Sequence, residues 1–300
     1  MAKMGKDVDY TAISLLLITV VIWSINFVFI KIGLEEFPPI TLATLRFLFA
    51  FPLLLAACIL TKSGKLCKPR LKELPTFVLL AMTGVTLFFI LYFNGMKYVT
   101  TTMAAIIVNV NPIFIAILSR VILKEPLGKR KTFGMLLAFL GVALVVSQGR
   151  LSLSELSPSV VFGSLLILSA SFLWAVYSIV GKRVVLERPP LETTTIVFGL
   201  GALCLIPFSF LESPFRHVLC ASWRGWISVL YMAFLSSALT YVLWYMALAR
   251  IEAVKTAVLL YLIPLLVMAV AHFFLGEEIT PASFFGCILV IVGLFITESA

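Results

Sequence analysis

The chain has 300 residues, of which 62% are hydrophobic and only 12% charged, with a net charge of +9 and a mean hydropathy of +1.13. Soluble domains carry roughly 25% charged residues, so this composition excludes a water-soluble enzyme or binding module and leaves a polytopic membrane protein. The basic residues are spread loop by loop instead of gathered in one patch, which argues against a nucleic-acid partner and for a lipid bilayer.

Taken in chain order, Met1–Tyr10 mixes Lys3 and Lys6 with Asp7 and Asp9, and the apolar run behind it is too long for a cleavable signal. Ten stretches long enough to cross a bilayer follow, at 11–32, 39–61, 75–93, 98–122, 129–147, 159–181, 193–211, 226–248, 253–275 and 281–297. Here they are spans 1 to 10. Breakers such as Pro38-Pro39, Lys62-Ser63-Gly64, Gly128, Pro189-Pro190 and Pro281 mark several of their ends. The predicted fold is therefore an all-α membrane protein of ten transmembrane helices.

The first five spans resemble the last five. At an offset of 151 or 152 residues, Trp23 meets Trp174, Lys31 meets Lys182, Asn109 meets Tyr261, Pro112 meets Pro264, Glu125 meets Glu277 and Gly141 meets Gly293. The repeats are expected at 1–148 and 149–300. A repeat with an odd number of spans must enter the membrane from opposite sides, giving the inverted pair typical of secondary transporters, with a substrate site between the halves near the midplane. Sixteen Lys and Arg fall in the N-terminal tail and the loops after even-numbered spans, against five in the other loops. The positive-inside rule then puts both termini in the cytoplasm.

No Asp or Glu falls inside a span, which removes the usual proton or cation site. The intramembrane cations are Arg46 and Arg120, with Lys31 and Lys182 at span ends. Lys31 and Lys182 read either as snorkelling interfacial lysines or as a pair of mouth residues that attract carboxylates. Arg46 either pairs with Glu35 or Glu36 at the mouth or serves the pathway. His272 suits a helix–helix hydrogen bond.

Aromatic and amide residues recur in the spans, with Trp23, Asn109, Trp174 and Tyr261 near mid-span: Trp23, Asn26 and Phe27 in span 1, Tyr92 and Asn94 at the end of span 3, Asn109 in span 4, Trp174, Tyr177 and Ser178 in span 6. Span 8 adds Ser237, Tyr241, Trp244 and Tyr245 on one stripe, and span 9 adds Tyr261. Belt residues sit at span ends, so a mid-span set reads as a lining for a small amphipathic solute. The expected substrate contacts are Trp23, Asn26, Tyr92, Asn109, Trp174, Tyr177, Tyr241, Trp244 and Tyr261. Lys31, Arg46, Pro112, Lys182 and Pro264 are expected to serve mouths and gates, because each mid-helix proline removes a backbone bond and opens a kink. Glu125 and Glu277 are expected to offset the N-terminal dipoles of spans 5 and 10. Gly134, Ala138, Gly141, Gly286 and Gly293 read as scaffold or as a dimer face, leaving a monomer or a homodimer open. Five cysteines without CxxC spacing suggest neither metal nor disulfide, and no cofactor is expected.

The ordered motifs Trp23-Ser24-Ile25-Asn26-Phe27 with Lys31, Leu45-Arg46, and Pro112, Glu125-Pro126-Leu127, Gly134 and Gly141, echoed by Pro264, Glu277-Glu278-Ile279, Gly286 and Gly293, resemble the ten-helix EamA-type members of the drug/metabolite transporter superfamily. That resemblance covers both halves. It implies an inner-membrane exporter of amino acids or related metabolites with a central cavity between the halves. A nucleotide-sugar or sugar-phosphate exchanger, or a drug exporter of the same superfamily, is the alternative; phosphate would call for several deep basic residues. An intramembrane enzyme would need a catalytic constellation that the two histidines do not supply.

Overall fold

The computed structural model describes residues 9–61, 69–99, 101–147, 157–275 and 280–299, with only the backbone for 101–103, 105 and 270–275. Glu277, Cys67, Arg150 and the side chain of His272 lie outside that description. Every described element is helical. Tyr10–Glu36, Pro39–Leu60, Leu74–Gly95, Lys129–Ser147, Pro158–Val185, Pro190–Phe210, Trp223–Leu248 and Pro281–Glu298 form spans 1, 2, 3, 5, 6, 7, 8 and 10. Spans 4 and 9 are broken helices. A short helix, Pro214–Cys220, lies between spans 7 and 8.

Helix starts follow from local chemistry. Asp9 accepts from the Ala12 amide, Ser157 from Val160, and Thr280 from Ser283, each satisfying a donor that the first turn leaves open. Pro158, Pro190 and Pro281 occupy the first turn, where a missing N–H costs nothing. Span 2 has no side-chain cap of its own. Glu212, just beyond span 7, supplies one, accepting from the amides of Ile40 at 3.2 Å and Thr41 at 2.7 Å.

The fold pairs repeat-equivalent spans. Spans 5 and 10 make the closest pair, because glycines let the backbones touch. A Cβ on Gly141 would sit 2.6 Å from the Gly286 carbonyl, and one on Gly134 would sit 2.7 Å from the Gly293 carbonyl. These small residues are used within one chain, so they are scaffold and do not offer a dimer face. Spans 2 and 7 pack likewise, and span 1 lies against span 8 while span 6 lies against span 3.

Two departures from regular helix recur at the same offset as the sequence repeat. Spans 3 and 8 each contain a π-helical segment, at Met82–Thr86 and Phe234–Leu239. Spans 4 and 9 are interrupted at Asn109–Val110 and Leu259–Tyr261. Such features loosen the backbone ladder and recur at functional sites. The expected kinks at Pro112 and Pro264 take the form of these breaks. Pro112 is the second residue of the resumed helix Asn111–Leu118, and Pro264 the third residue of Leu262–Leu275, so each lies in a first turn and does not strip a bond from a continuous helix.

Candidate functional site

Trp23 and Trp174, equivalent residues of the two repeats, meet at the centre with ring centroids 5.7 Å apart and planes at 74°. Contact between equivalent residues places the internal pseudo-twofold axis between them. Tyr241 closes the triangle, 6.2 Å from Trp23 and 5.4 Å from Trp174. Edge-to-face pairs of this kind add about 0.5–1.5 kcal/mol each beyond burial and fix ring orientation. The two tryptophans are held differently. The Trp23 indole N–H donates to the Ser236 carbonyl at 3.1 Å and to Thr240 Oγ1 at 2.8 Å. The repeat mate of Thr240 is Phe88, which packs on Trp174 at 5.5 Å.

Beside this cluster lies a cavity of about 160 Å³. Its walls are Trp23, Asn26, Phe27 and Ile30 of span 1, Arg46 of span 2, and Phe88, Phe89 and Tyr92 of span 3. Span 4 adds Val108, Asn109 and Asn111, span 6 adds Trp174, span 8 adds Ser236 and Tyr241, and span 9 adds Leu260 and Ile263. Trp23 to Ile30 run from mid-span toward the end facing away from the termini, and so do Phe88 to Tyr92. The cavity therefore occupies the half of the molecule remote from the termini.

Six of the nine expected substrate contacts line it: Trp23, Asn26, Tyr92, Asn109, Trp174 and Tyr241. Tyr177, Trp244 and Tyr261 do not. Tyr177 is fully buried, its ring laid on Gly84 in the π segment of span 3 and 5.2 Å from Trp174. Trp244 backs both central tryptophans at 5.9 and 6.1 Å, and Tyr261 is buried beside Phe139. These three support the wall from behind. Asn94 turns away as well, its amide nitrogen donating to the Ile90 carbonyl and its oxygen accepting from Lys97. Asn111, Phe88, Phe89 and Ser236 are wall residues absent from the expected set, and only a knowledge of the breaks and π segments would have brought them in.

Arg46 is 4% exposed and pairs with neither Glu35 nor Glu36. Glu36 instead binds Ser222, accepting from its amide and hydroxyl. The Arg46 Nε donates to Ser237 Oγ, and Nη2 donates to the Ser236 carbonyl at 2.9 Å and hydroxyl at 3.2 Å. Its guanidinium also stands over Phe89 and Phe47, at 5.1 and 5.5 Å. The reason is distance along the helix: Arg46 lies about two turns inside span 2, level with the π segment of span 8, whose altered ladder presents the Ser236 carbonyl. Of the other expected gate residues, Lys31 is exposed outside the cavity and Lys182 is buried. Arg120 is exposed on the outer side of span 4.

The half that carries the termini is closed. Lys182 Nζ donates at 2.6 Å both to Glu125 Oε1 and to the Ile251 carbonyl. Glu125 Oε2 accepts from the Ala253 amide at 2.9 Å. Glu125 thus caps span 9 and binds span 6, which corrects its expected role at the start of span 5. The cause is Lys124, whose left-handed conformation (φ 57°) turns the chain sharply at the end of span 4. Lys131 pairs with Glu252 and Lys255 with Glu298, while Arg250 reaches Asp9. Below the tryptophans, the buried Tyr245 lies directly on Gly181. Among the described residues, no group of three or more His, Cys, Asp or Glu is placed to hold a metal.

The profile of the EamA-like transporter family matches twice, over residues 10–147 and 161–298, and so covers each set of five spans once. This chain belongs to that family. An uncharacterized transporter of Archaeoglobus fulgidus is 38% identical over 95% of this chain and 96% of its own length. A Salmonella typhimurium protein named "Probable amino-acid metabolite efflux pump" is 30% identical over 94% of this chain and 93% of its own. One crystal structure superimposes with a TM-score of 0.77 over 95% of this chain and 96% of that one; at 18% identity it shows the fold alone. The EamA membership makes the chain a multi-pass membrane transporter built from two inverted five-helix repeats.

Proposed function

We propose that this chain exports amino acids or related small metabolites across the cytoplasmic membrane by alternating access, with both termini in the cytoplasm. The observation that carries the reading is the one-sided cavity. It is aromatic, lies between the repeats, and is shut toward the termini by Lys182, Glu125 and the start of span 9. With the termini inside, this is the outward-facing state. Inverted repeats exchange conformations, so the inward-facing state needs only rigid-body movement about the same midplane residues.

Its chemistry supports the solute class. Tryptophan and tyrosine faces suit an apolar body, and amides with one guanidinium suit a polar head. A volume of about 160 Å³ falls well below the ~300–1,000 Å³ of drug-sized pockets and favours an amino-acid-sized solute. The nucleotide-sugar alternative loses support because Arg120 faces outward, leaving Arg46 as the cation in the wall. The name of the Salmonella relative points to the same solutes.

Counterflow in proteoliposomes tests the reading. Vesicles preloaded with an unlabelled amino-acid mixture are expected to take up labelled amino acids faster than empty ones, with saturation. Linear, unsaturable flux without counterflow would mean a channel, and no flux of any amino acid would exclude this solute class.

A further inference from the structure

We propose that Arg46 anchors a carboxylate of the transported solute, so that the site accepts small carboxylic acids and zwitterions and rejects amides and amines of the same shape. The inference rests on the carrier reading above and names the chemical group that its cavity recognises.

Three observations carry it. Arg46 is more than nine-tenths buried, lies in the cavity wall, and has no carboxylate within ion-pair reach among the described residues. A cation at this depth is among the most costly groups a membrane protein can hold, and such residues pair or mark a substrate path. Its protein contacts are all neutral: two serines of span 8 and two phenylalanine faces. These contacts fix the guanidinium through Nε and Nη2, while Nη1 takes part in none of them. A planar, pre-oriented guanidinium is the side chain best matched to a carboxylate.

The second observation is the broken symmetry. Lys31, Trp23 and Glu125 all recur in the second repeat, but the mate of Arg46 is Val197, buried in span 7. A charge demanded by the packing of spans 2 and 7 would be demanded in both copies. One copy suffices for a solute that binds one way round.

Third, the wall contains no Asp or Glu. An ammonium group would meet only neutral acceptors, of which Asn26 Oδ1 and Asn111 Oδ1 are buried without a protein donor. The soft χ2 torsion of an asparagine lets such an amide turn toward an ammonium. The ammonium is thus tolerated and the carboxylate is required.

The test is thermal unfolding of the purified full chain with four ligands that share one side chain: L-leucine, 4-methylpentanoate, L-leucinamide and 3-methylbutylamine. A ligand that binds the native state raises Tm with concentration. Leucine and 4-methylpentanoate are expected to raise Tm at concentrations at least tenfold lower than the amide and amine. The Arg46→Gln variant is expected to lose that preference and Arg46→Lys to keep part of it. Should Arg46→Gln not fold, the wild-type ligand series decides alone. Leucinamide acting as well as leucine overturns the Arg46 assignment and leaves the carrier reading standing. A response to 4-methylpentanoate but not to leucine keeps Arg46 and overturns the amino-acid reading. No response to any of the four overturns both.

Discussion

Lys31 and Lys182 hold the same position in two copies of one fold, yet one is exposed and the other is buried in a salt bridge. Nothing in the local sequence separates them. We infer that the difference is conformational: among the described residues, Lys182 and Glu125 join spans 4, 6 and 9 near the termini, while the cavity lies in the opposite half. Inverted repeats teach this directly, since whatever is asymmetric between the copies is either the conformational state or a site-specific function. We propose Lys182 as an instance of the first and Arg46 as one of the second.

The largest expected effect comes from the part that is symmetric. Spans 5 and 10 touch through glycine in both copies, so Gly141→Leu forces a side chain into the Gly286 carbonyl. Overpacking costs about 1–3 kcal/mol where side chains can yield, and here the obstacle is backbone. Loss of monodisperse protein in detergent is expected; a well-behaved variant would show that the pair is loosely packed.

Next comes the lock. Lys182→Met leaves the partly buried Glu125 with the Ala253 amide alone, and breaking a buried pair of this kind costs about 3–5 kcal/mol at most. The double variant Lys182→Met with Glu125→Gln is expected to be milder than Lys182→Met, because no charge is stranded. Lys31→Met should change stability by less than about 0.5 kcal/mol, as surface substitutions do. Equal effects at Lys31 and Lys182 would erase the comparison.

The central tryptophans sharpen it. Trp23→Phe loses two hydrogen bonds and leaves the Ser236 carbonyl to Arg46 and Thr240, whereas Trp174→Phe loses mainly aromatic contact. Counterflow is expected to fall by about tenfold for Trp23→Phe, the equivalent of about 1.4 kcal/mol, and by less for Trp174→Phe. A small effect is also expected from Pro112→Ala and Pro264→Ala, under about 1 kcal/mol in stability, since both prolines open a resumed helix.

The spans, the repeat and the mid-span tryptophans were legible because hydropathy and spacing are written along the chain. Partner choice was not. Arg46 lies near Glu35 and Glu36 in sequence, but span 2 carries it two turns inward to span 8. Glu125 precedes span 5, but the left-handed Lys124 turns it to spans 6 and 9. Tyr177 shares a helix face with Trp174, yet the bare backbone at Gly84 draws its ring away from the cavity. The π segments left no trace in composition, and the residues they position, Ser236 above all, went unseen for that reason.

The claim that one face is open and the other locked is tested most directly by labelling single cysteines in a cysteine-free background. Ile30→Cys lies in the cavity wall and Tyr245→Cys below the tryptophans on the locked side. With membrane-impermeant maleimide, Ile30→Cys should label only from the side opposite the termini, and Tyr245→Cys should be silent until Lys182→Met is added, when it labels from the terminal side. Labelling of Ile30→Cys from the terminal side, or of Tyr245→Cys with Lys182 intact, would contradict the account.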